Sequence, residues 1–183
     1  MPLELTQIDR PAQYVEALTS TLRSALDDDI RIGGYESWGA AQAHDYQVLI
    51  ELGEMQPAPP QNDGRHAQIQ QVILYTVVSG GIEQAALIAA NLASELMRVA
   101  CDQRWGLPCA LVGEPTTLEA QPSFLIEKNK THRGFEAWEL RFKQRISYGP
   151  SGWDDELALN GAMLAVNPSD DMKDDEYEAF ADG

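Results

Sequence analysis

The stretch 134–149 constrains the fold of this chain more than any other, because its polarity alternates with a period of two. Successive side chains of a β-strand point to opposite faces, so this alternation predicts one long strand. Between 138 and 148 the even positions are apolar apart from Gln144: Trp138, Leu140, Phe142, Ile146 and Tyr148. The odd positions from 139 to 145 are charged: Glu139, Arg141, Lys143 and Arg145. One face of the strand is therefore expected to pack on a core, while the other carries a row of cations.

Composition limits the classes of protein to which the chain can belong. Its 183 residues are 44% hydrophobic, which suffices for one ordinary core. The net charge of -16 and the pI near 4.4 argue against a tightly held nucleic acid, because phosphate binding needs a dense basic surface. No apolar run reaches the roughly 18 residues that span a bilayer. The first residues are acidic where a signal peptide would carry lysines, so we expect a cytoplasmic protein with no membrane partner.

Two helices are predicted from apolar residues at helical spacing. The first covers residues 11–26, with Asp9 as its cap. The second covers residues 82–100 and is polar only along one narrow stripe. Helices with half of their surface exposed have a wider polar face, so the second helix is expected to lie deep in the core or under a neighbouring subunit.

Further strands are predicted on either side of a Pro-rich segment at 57–64. Residues 46–52 alternate and indicate a strand with one buried face, whereas residues 72–78 are apolar throughout and indicate a central strand covered on both sides. The two strands are expected to form a long antiparallel hairpin with a projecting tip. Residues 109–112 and 124–128 are shorter strand candidates, and residues 33–45 are predicted to be irregular.

These elements predict an α/β chain of the α+β kind: a mostly antiparallel or mixed sheet with two main helices packed on it. We place this domain at residues 1–153. Residues 154–183 differ in composition, because they hold ten Asp or Glu against one Lys, a net charge of -9. They are predicted to form an acidic C-terminal arm that needs a partner to hold it in place.

The three histidines do not make a convincing catalytic site. His44 beside Asp45, and His66 near Asp63, could be imagined as general bases with orienting carboxylates. His132 has no such neighbour, and three scattered histidines are common by chance. We therefore expect a protein that is not an enzyme and has no catalytic residues.

Cofactor and metal sites are also not predicted. The segment 79–81, Ser-Gly-Gly, precedes a helix but lacks the lysine and the fuller glycine pattern of a phosphate loop, so it is interpreted as a helix entry. The acidic runs at 27–29, 154–156, 170–171 and 174–176 lack the spacing of a calcium loop. Cys101 and Cys109 are interpreted as free, mostly buried thiols, although their spacing does not exclude a disulfide.

The cations are concentrated in one part of the sequence. Six of the thirteen fall within 18 residues: Lys128, Lys130, Arg133, Arg141, Lys143 and Arg145. One interpretation is an ordinary solvated sheet face. The other is an interface for acid-rich segments of the same or an adjacent copy. For that interface the predicted partners are Asp154, Asp155, Glu156, Asp174, Asp175 and Glu176.

In the order of its elements the chain resembles the tail terminator, or tail completion, proteins of long-tailed Mu-like bacteriophages. The resemblance covers residues 9–153 and is carried by the N-terminal helix, the hairpin with residues 46–52 and 66–75, the Ala-rich helix, Arg104-Trp105-Gly106, and the stretch 134–149. It implies a sheet covered by helices. It also implies a homohexameric ring that ends tail-tube polymerisation at the head-proximal end of the tail and joins the tail to the neck. No catalytic residues exist to carry over.

The resemblance further implies the partners and the location. The partners would be other copies of the chain, the tail tube protein, a neck or connector protein and possibly the sheath, with DNA only passing through the lumen. The protein would be found in the virion tail or neck, and in the host cytoplasm during assembly. Two other classes stay open: a different head–tail connector or neck ring, and an acidic monomeric binding or inhibitor module.

Overall fold

The fold is a five-stranded mixed sheet with two helices, as the computed structural model shows. The structure describes residues 7–37, 45–59, 63–123 and 134–151, and the backbone of two short strands beyond them. The elements are α1 (Pro11–Ala25), β1 (Arg31–Gly34), a 3-10 turn (Tyr35–Ser37), β2 (Tyr46–Pro57), β3 (His66–Ser79), α2 (Ala85–Ala100), β4 (Thr116–Ser123), β5 (Phe135–Tyr148), β6 (Met163–Ala165) and β7 (Tyr177–Ala179). The predicted α+β class is confirmed.

The five strands lie in the order β1-β2-β3-β5-β4, and β6 pairs with β7 alone. β1 runs parallel to β2, and the other neighbours in the large sheet are antiparallel. β2 and β3 form the predicted hairpin, and β5 pairs with β3 along its whole length, from His66↔Tyr148 to Ser79↔Phe135. β3 is the middle strand, and its residues 72–78 are all buried, which confirms the predicted central strand.

The main core lies on one face of the sheet, called here the core face. Even-numbered residues of β3 and β5, such as Leu74 and Phe142, pack there against the helices. From α1 come Tyr14, Leu18 and Leu22, and from α2 come Leu92, Leu96, Val99 and Ala100. Burial of this apolar surface is the main force that holds helices and sheet together. In the described residues, no helix is long and apolar enough to cross a membrane.

The opposite face of the sheet, called here the outer face, buries a smaller cluster. It contains Leu49, Ile73, Tyr75, Val77 and Ala137, with Tyr35 of the 3-10 turn packed against it. The rings of Tyr35 and Tyr75 lie 5.2 Å apart. This cluster explains why β2 does not have the single buried face predicted for it: Gln47 and Leu49 are buried as well as Val48 and Ile50.

Two predicted helix boundaries need correction. The N-cap of α1 is Arg10, not Asp9, and the Gln13 side chain accepts hydrogen bonds from the backbone N–H groups of both residues, at 3.2 and 2.7 Å. α2 begins at Ala85, three residues later than predicted, because residues 80–84 form turns, one of them closed by Ile82 N–H donating to the Ser79 carbonyl.

Two predictions about strands also need correction, and one strand was not predicted. Part of the segment predicted to be irregular belongs to β1, whose residues pair with β2 from Arg31↔Gln47 to Gly34↔Ile50. Residues 109–112 are a turn rather than a strand, and only Val112 forms an isolated bridge, to Ile146. The edge strand β4 precedes the candidate at 124–128, which lies outside the described residues. β4 was missed because its sequence, TTLEAQPS, contains a proline and no regular alternation.

Candidate interaction surface

The alternation of β5 has the predicted consequence for its two faces. Leu140, Phe142, Gln144 and Ile146 are buried on the core face, and Trp138 and Tyr148 are half-buried there. Arg141, Lys143 and Arg145, called here the cationic row, are each half-buried on the outer face. Their neighbours across β3 are Ile73, Gln71 and Ile69 respectively. The row is therefore flanked by apolar and amide side chains on β3, whereas β4 places Glu119 opposite Arg141 and Thr116 opposite Lys143.

The three cations of the row differ in their partners. Arg141 donates to Glu139 in an ion pair of 2.8 Å. Arg145 donates to the Ser147 hydroxyl at 3.0 Å and has further interactions. Lys143 has no ion-pair partner among the residues that the structure describes, so its charge is the one most available to another molecule.

Glu139 is a buried carboxylate next to Arg141, at one end of the cationic row. It is only 5% exposed, and it accepts hydrogen bonds from Gln121 and Ser123 besides its pair with Arg141. Burial would raise the pKa of this carboxyl group. The hydrogen bonds and the positive charge of Arg141 outweigh burial, however, so its pKa lies below the usual value. Glu139 is therefore ionised at neutral pH and holds Arg141 in place.

The remaining predicted interface residues lie outside the described residues. They are Lys128, Lys130, Arg133, Asp154, Asp155, Glu156, Asp174, Asp175 and Glu176. The structure therefore brings together only Arg141, Lys143 and Arg145 from the predicted set. Contact between the row and the acidic arm stays a prediction, as does the domain boundary at residue 153.

α2 has an exposed apolar side, which corrects the prediction of a helix deep in the core. Leu87 is 56% exposed, and Ala86 beside it is exposed as well. Leu87 lies on the side of α2 that faces away from the sheet, whereas the half-buried Met97 packs against the main core. The other predicted explanation for the narrow polar stripe, cover by a neighbouring subunit, stays a prediction.

A groove with acidic edges lies where α2 approaches the connection between α1 and β1. Its lining residues, called here the acidic groove, are Asp27, Asp29, Ile30, Tyr46, Ile88, Asn91, Leu92 and Glu95. Its volume is about 240 Å³. Sequence analysis missed this site, although the run 27–29 was visible as an acidic triplet, because the contribution from α2 depends on tertiary packing.

The candidate catalytic pairs are not supported by the described residues. The Asp63 carboxylate accepts hydrogen bonds from Arg65, through its backbone N–H and its guanidinium group, rather than orienting His66. The exposed His66 ring is hydrogen-bonded to the Gln68 amide at 3.0 Å. His44 and His132 lie outside the described residues. No cluster of three or more His, Cys, Asp or Glu suited to a metal ion occurs in the described part of the chain.

The Ser-Gly-Gly turn is explained by a close backbone contact. Gly80 N–H donates to the Gly134 carbonyl at 2.7 Å, so it is not available to an anion. A Cβ at Gly80 would lie 2.4 Å from that oxygen, which explains the glycine. Cys101 and Cys109 are both free, as expected, but exposed rather than buried, because each lies in a turn.

The chain is similar to the sheath/tube terminator of PVC, an extracellular contractile injection system, in its extended state. The TM-score is 0.44 and the identity 13%, over 94% of this chain and 68% of that one. No protein-family model and no curated protein sequence matches the chain.

Proposed function

We propose that this protein is a structural virion protein that forms a ring at the head-proximal end of a phage tail. There it ends tail-tube polymerisation and joins the tail to the neck or connector. The proposal rests on the sequence resemblance, whose elements α1, the β2–β3 hairpin, α2 and β5 occur in the expected order. The observation that carries it furthest is the cationic row on the outer face of a chain with a net charge of -16.

A ring requires two different surfaces on each copy. In a cyclic assembly one surface of a subunit contacts another surface of the next, and the rotation closes. The cationic row is one candidate surface, and either the acidic arm or another acidic region is its complement. The exposed Leu87 of α2 supplies apolar area of the kind that interface cores contain. We propose six copies per ring, as the resemblance implies.

The proposed role is structural, without catalysis and without a cofactor. The proposed partners are other copies of the chain, the tail tube protein and a neck or connector protein, with the sheath as a further candidate. DNA is proposed only to pass through the lumen, since an acidic wall repels phosphate. The proposed location is the virion, with assembly in the host cytoplasm.

Electron microscopy of virions that lack this protein tests the proposal. Without a terminator, tube growth has no stop, so abnormally long tails are expected. Tails of normal length beside unfilled heads would identify a head-side neck ring instead. Normal, infectious virions would contradict both and favour the acidic monomeric binding module.

A further inference from the structure

We propose that the cationic row of one copy binds in the acidic groove of the next copy, with Lys143 as the main contact. This inference rests on the proposed ring and names the two surfaces that would build it. The occupant of the groove is thus a second copy of this chain. The acidic arm, which the sequence offered as the complement of the row, becomes the competing explanation.

The chemistry of the groove suits the side chain of a lysine or arginine. Ile30, Ile88 and Leu92 supply apolar walls, and Asp27, Asp29 and Glu95 supply carboxylates at the edges. Long cationic side chains place their methylene groups along apolar surface and keep the charged end among polar groups. The volume of about 240 Å³ accommodates one such side chain.

Among the described residues of one copy, the carboxylates of the groove form only one weak ion pair. Glu95 forms an exposed pair with Arg98 at 3.2 Å, which is worth little in water. Asp27 and Asp29 are exposed and form no ion pair with any residue in the described ranges. Three carboxylates line this groove, while Lys143 has no ion-pair partner among the residues that the structure describes.

The row and the groove lie too far apart to meet within one copy. The groove is on the helix side of the sheet, near Tyr46, which pairs with Val78. Lys143 is on the outer face and pairs with Gln71, seven residues away along β3. At 3.4 Å per residue this is roughly 24 Å along the strand, on the opposite face. The contact must therefore join two copies head to tail, which is the geometry that a ring requires.

Charge also gives this contact its specificity. Two copies with a net charge of -16 repel each other in most orientations. An orientation that brings the cationic row to the groove replaces repulsion by attraction, and like-charge contacts penalise the alternatives. The exposed Leu87, next to Ile88 of the groove, and the half-buried Ile69 beside Arg145 add apolar contact.

A charge-swap experiment on the full-length chain tests the inference. Lys143→Glu and Asp29→Lys are each expected to lower the fraction of chains in rings at least tenfold, as measured by native mass spectrometry. The reason is that each change places like charges together. The two changes in one chain are expected to restore the ring. The matched control is Asp28→Lys, an equal charge change at an exposed neighbour of Asp29 that does not line the groove, and it should leave assembly unchanged.

Circular dichroism confirms that each variant is folded before assembly is compared. Should Asp29→Lys lower the melting temperature, the near-isosteric Asp29→Asn takes its place, again with weaker association expected. Rings of wild-type yield from Lys143→Glu or Asp29→Lys would overturn the inference and leave the proposed function intact. The inference would also be overturned if neutralising Asp174, Asp175 and Glu176 together abolished the ring while Asp29→Lys still assembled. The acidic arm would then be the surface that binds the cationic row. A wild-type chain that forms no ring at all would overturn the proposed function itself.

Discussion

At the scale of single residues, Gln144 organises the buried polar groups beneath the helices. It interrupts the apolar face of β5, and it is only 1% exposed. Its side-chain oxygen accepts hydrogen bonds from the Tyr14 hydroxyl at 2.6 Å and from the Trp105 indole N–H at 2.7 Å. Its amide nitrogen donates to the carbonyls of Gln103 and Gly113. One side chain thus joins α1, β5 and the segment that follows α2.

Replacing this amide should destabilise the fold strongly. Gln144→Leu leaves two buried donors and two carbonyls without partners, so we expect the free energy of unfolding to fall by about 2–4 kcal/mol. Chemical denaturation measures this loss. The control is Gln56→Leu, the same change at an exposed position of β2, where a change below about 0.5 kcal/mol is expected. Similar losses at both sites would contradict the role given to Gln144.

Tyr14 makes the same network sensitive to alkaline pH. Burial raises its pKa well above the usual value of about 10, and the pKa values of Tyr75 and Tyr148 are raised as well. A raised pKa means that the fold prefers the neutral hydroxyl. Its contribution to stability is therefore complete below pH 10 and is lost as pH rises above 10.

Urea denaturation between pH 7 and pH 11.5 measures this dependence. The unfolding free energy should be nearly constant below pH 9.5 and should fall above pH 10. Tyr14→Phe should be less stable than the wild type at pH 7 and should lose less stability between pH 10 and pH 11.5. An equal alkaline loss in both proteins would show that Tyr14 does not contribute.

Gly80 gives a third test at this scale. Gly80→Ala places a methyl group against the Gly134 carbonyl, so we expect a loss of about 1–3 kcal/mol, the usual cost of overpacking. Gly134→Ala is the matched control, because a Cβ there meets nothing within 4 Å. Thermal denaturation of both variants measures the difference. A Gly80→Ala variant as stable as Gly134→Ala would contradict the close contact.

At the scale of elements, α2 divides sharply into a core side and an exposed side. Leu96 is fully buried against the sheet, whereas Leu87 is 56% exposed. Leu96→Ala should therefore cost about 2–5 kcal/mol of unfolding free energy in the monomer. Leu87→Lys should change it by less than about 0.5 kcal/mol, since lysine is also a good helix former. Comparable losses at both positions would show that Leu87 belongs to the core.

How far the sequence predicts an element depends on where its stabilising contacts come from. β5 and α1 have a regular period and β3 has a continuous apolar run, so local pattern alone gives the approximate position of each and the faces that it buries. β1 and β4 do not: β1 has four residues, two of them glycine, and β4 contains Pro122 and a register shift between Thr116 and Glu119. Both form because an edge of the sheet is available to pair with them.

The residues of the candidate interface differ in the same respect: some are predictable from local pattern, and others meet only through tertiary packing. The cationic row was predicted because alternation fixes which residues of β5 lie together. The acidic groove was not, because Asp29 and Glu95 are 66 positions apart and meet only through the packing of α2. Glu139 was grouped with the charged face, but its burial and its pair with Arg141 depend on Gln121 and Ser123 from β4.

At the scale of the whole molecule, assembly through opposite charges has a measurable salt dependence. Coulomb attraction between partly exposed groups is screened over about 10 Å at 0.1 M salt and about 3 Å at 1 M. We expect the dissociation constant of the ring to be at least tenfold higher at 1 M NaCl than at 0.1 M, as measured by analytical ultracentrifugation. The melting temperature of the subunit should change little. A ring that is equally stable at both salt concentrations would indicate an apolar interface centred on α2 instead.

Ring formation is tested most directly by the mass of the purified protein beside its tube protein at 0.15 M salt, measured by native mass spectrometry. We expect one closed species of six copies that binds the end of the tube and stops its growth. A protein that stays strictly monomeric in the presence of tube and neck proteins would contradict this expectation.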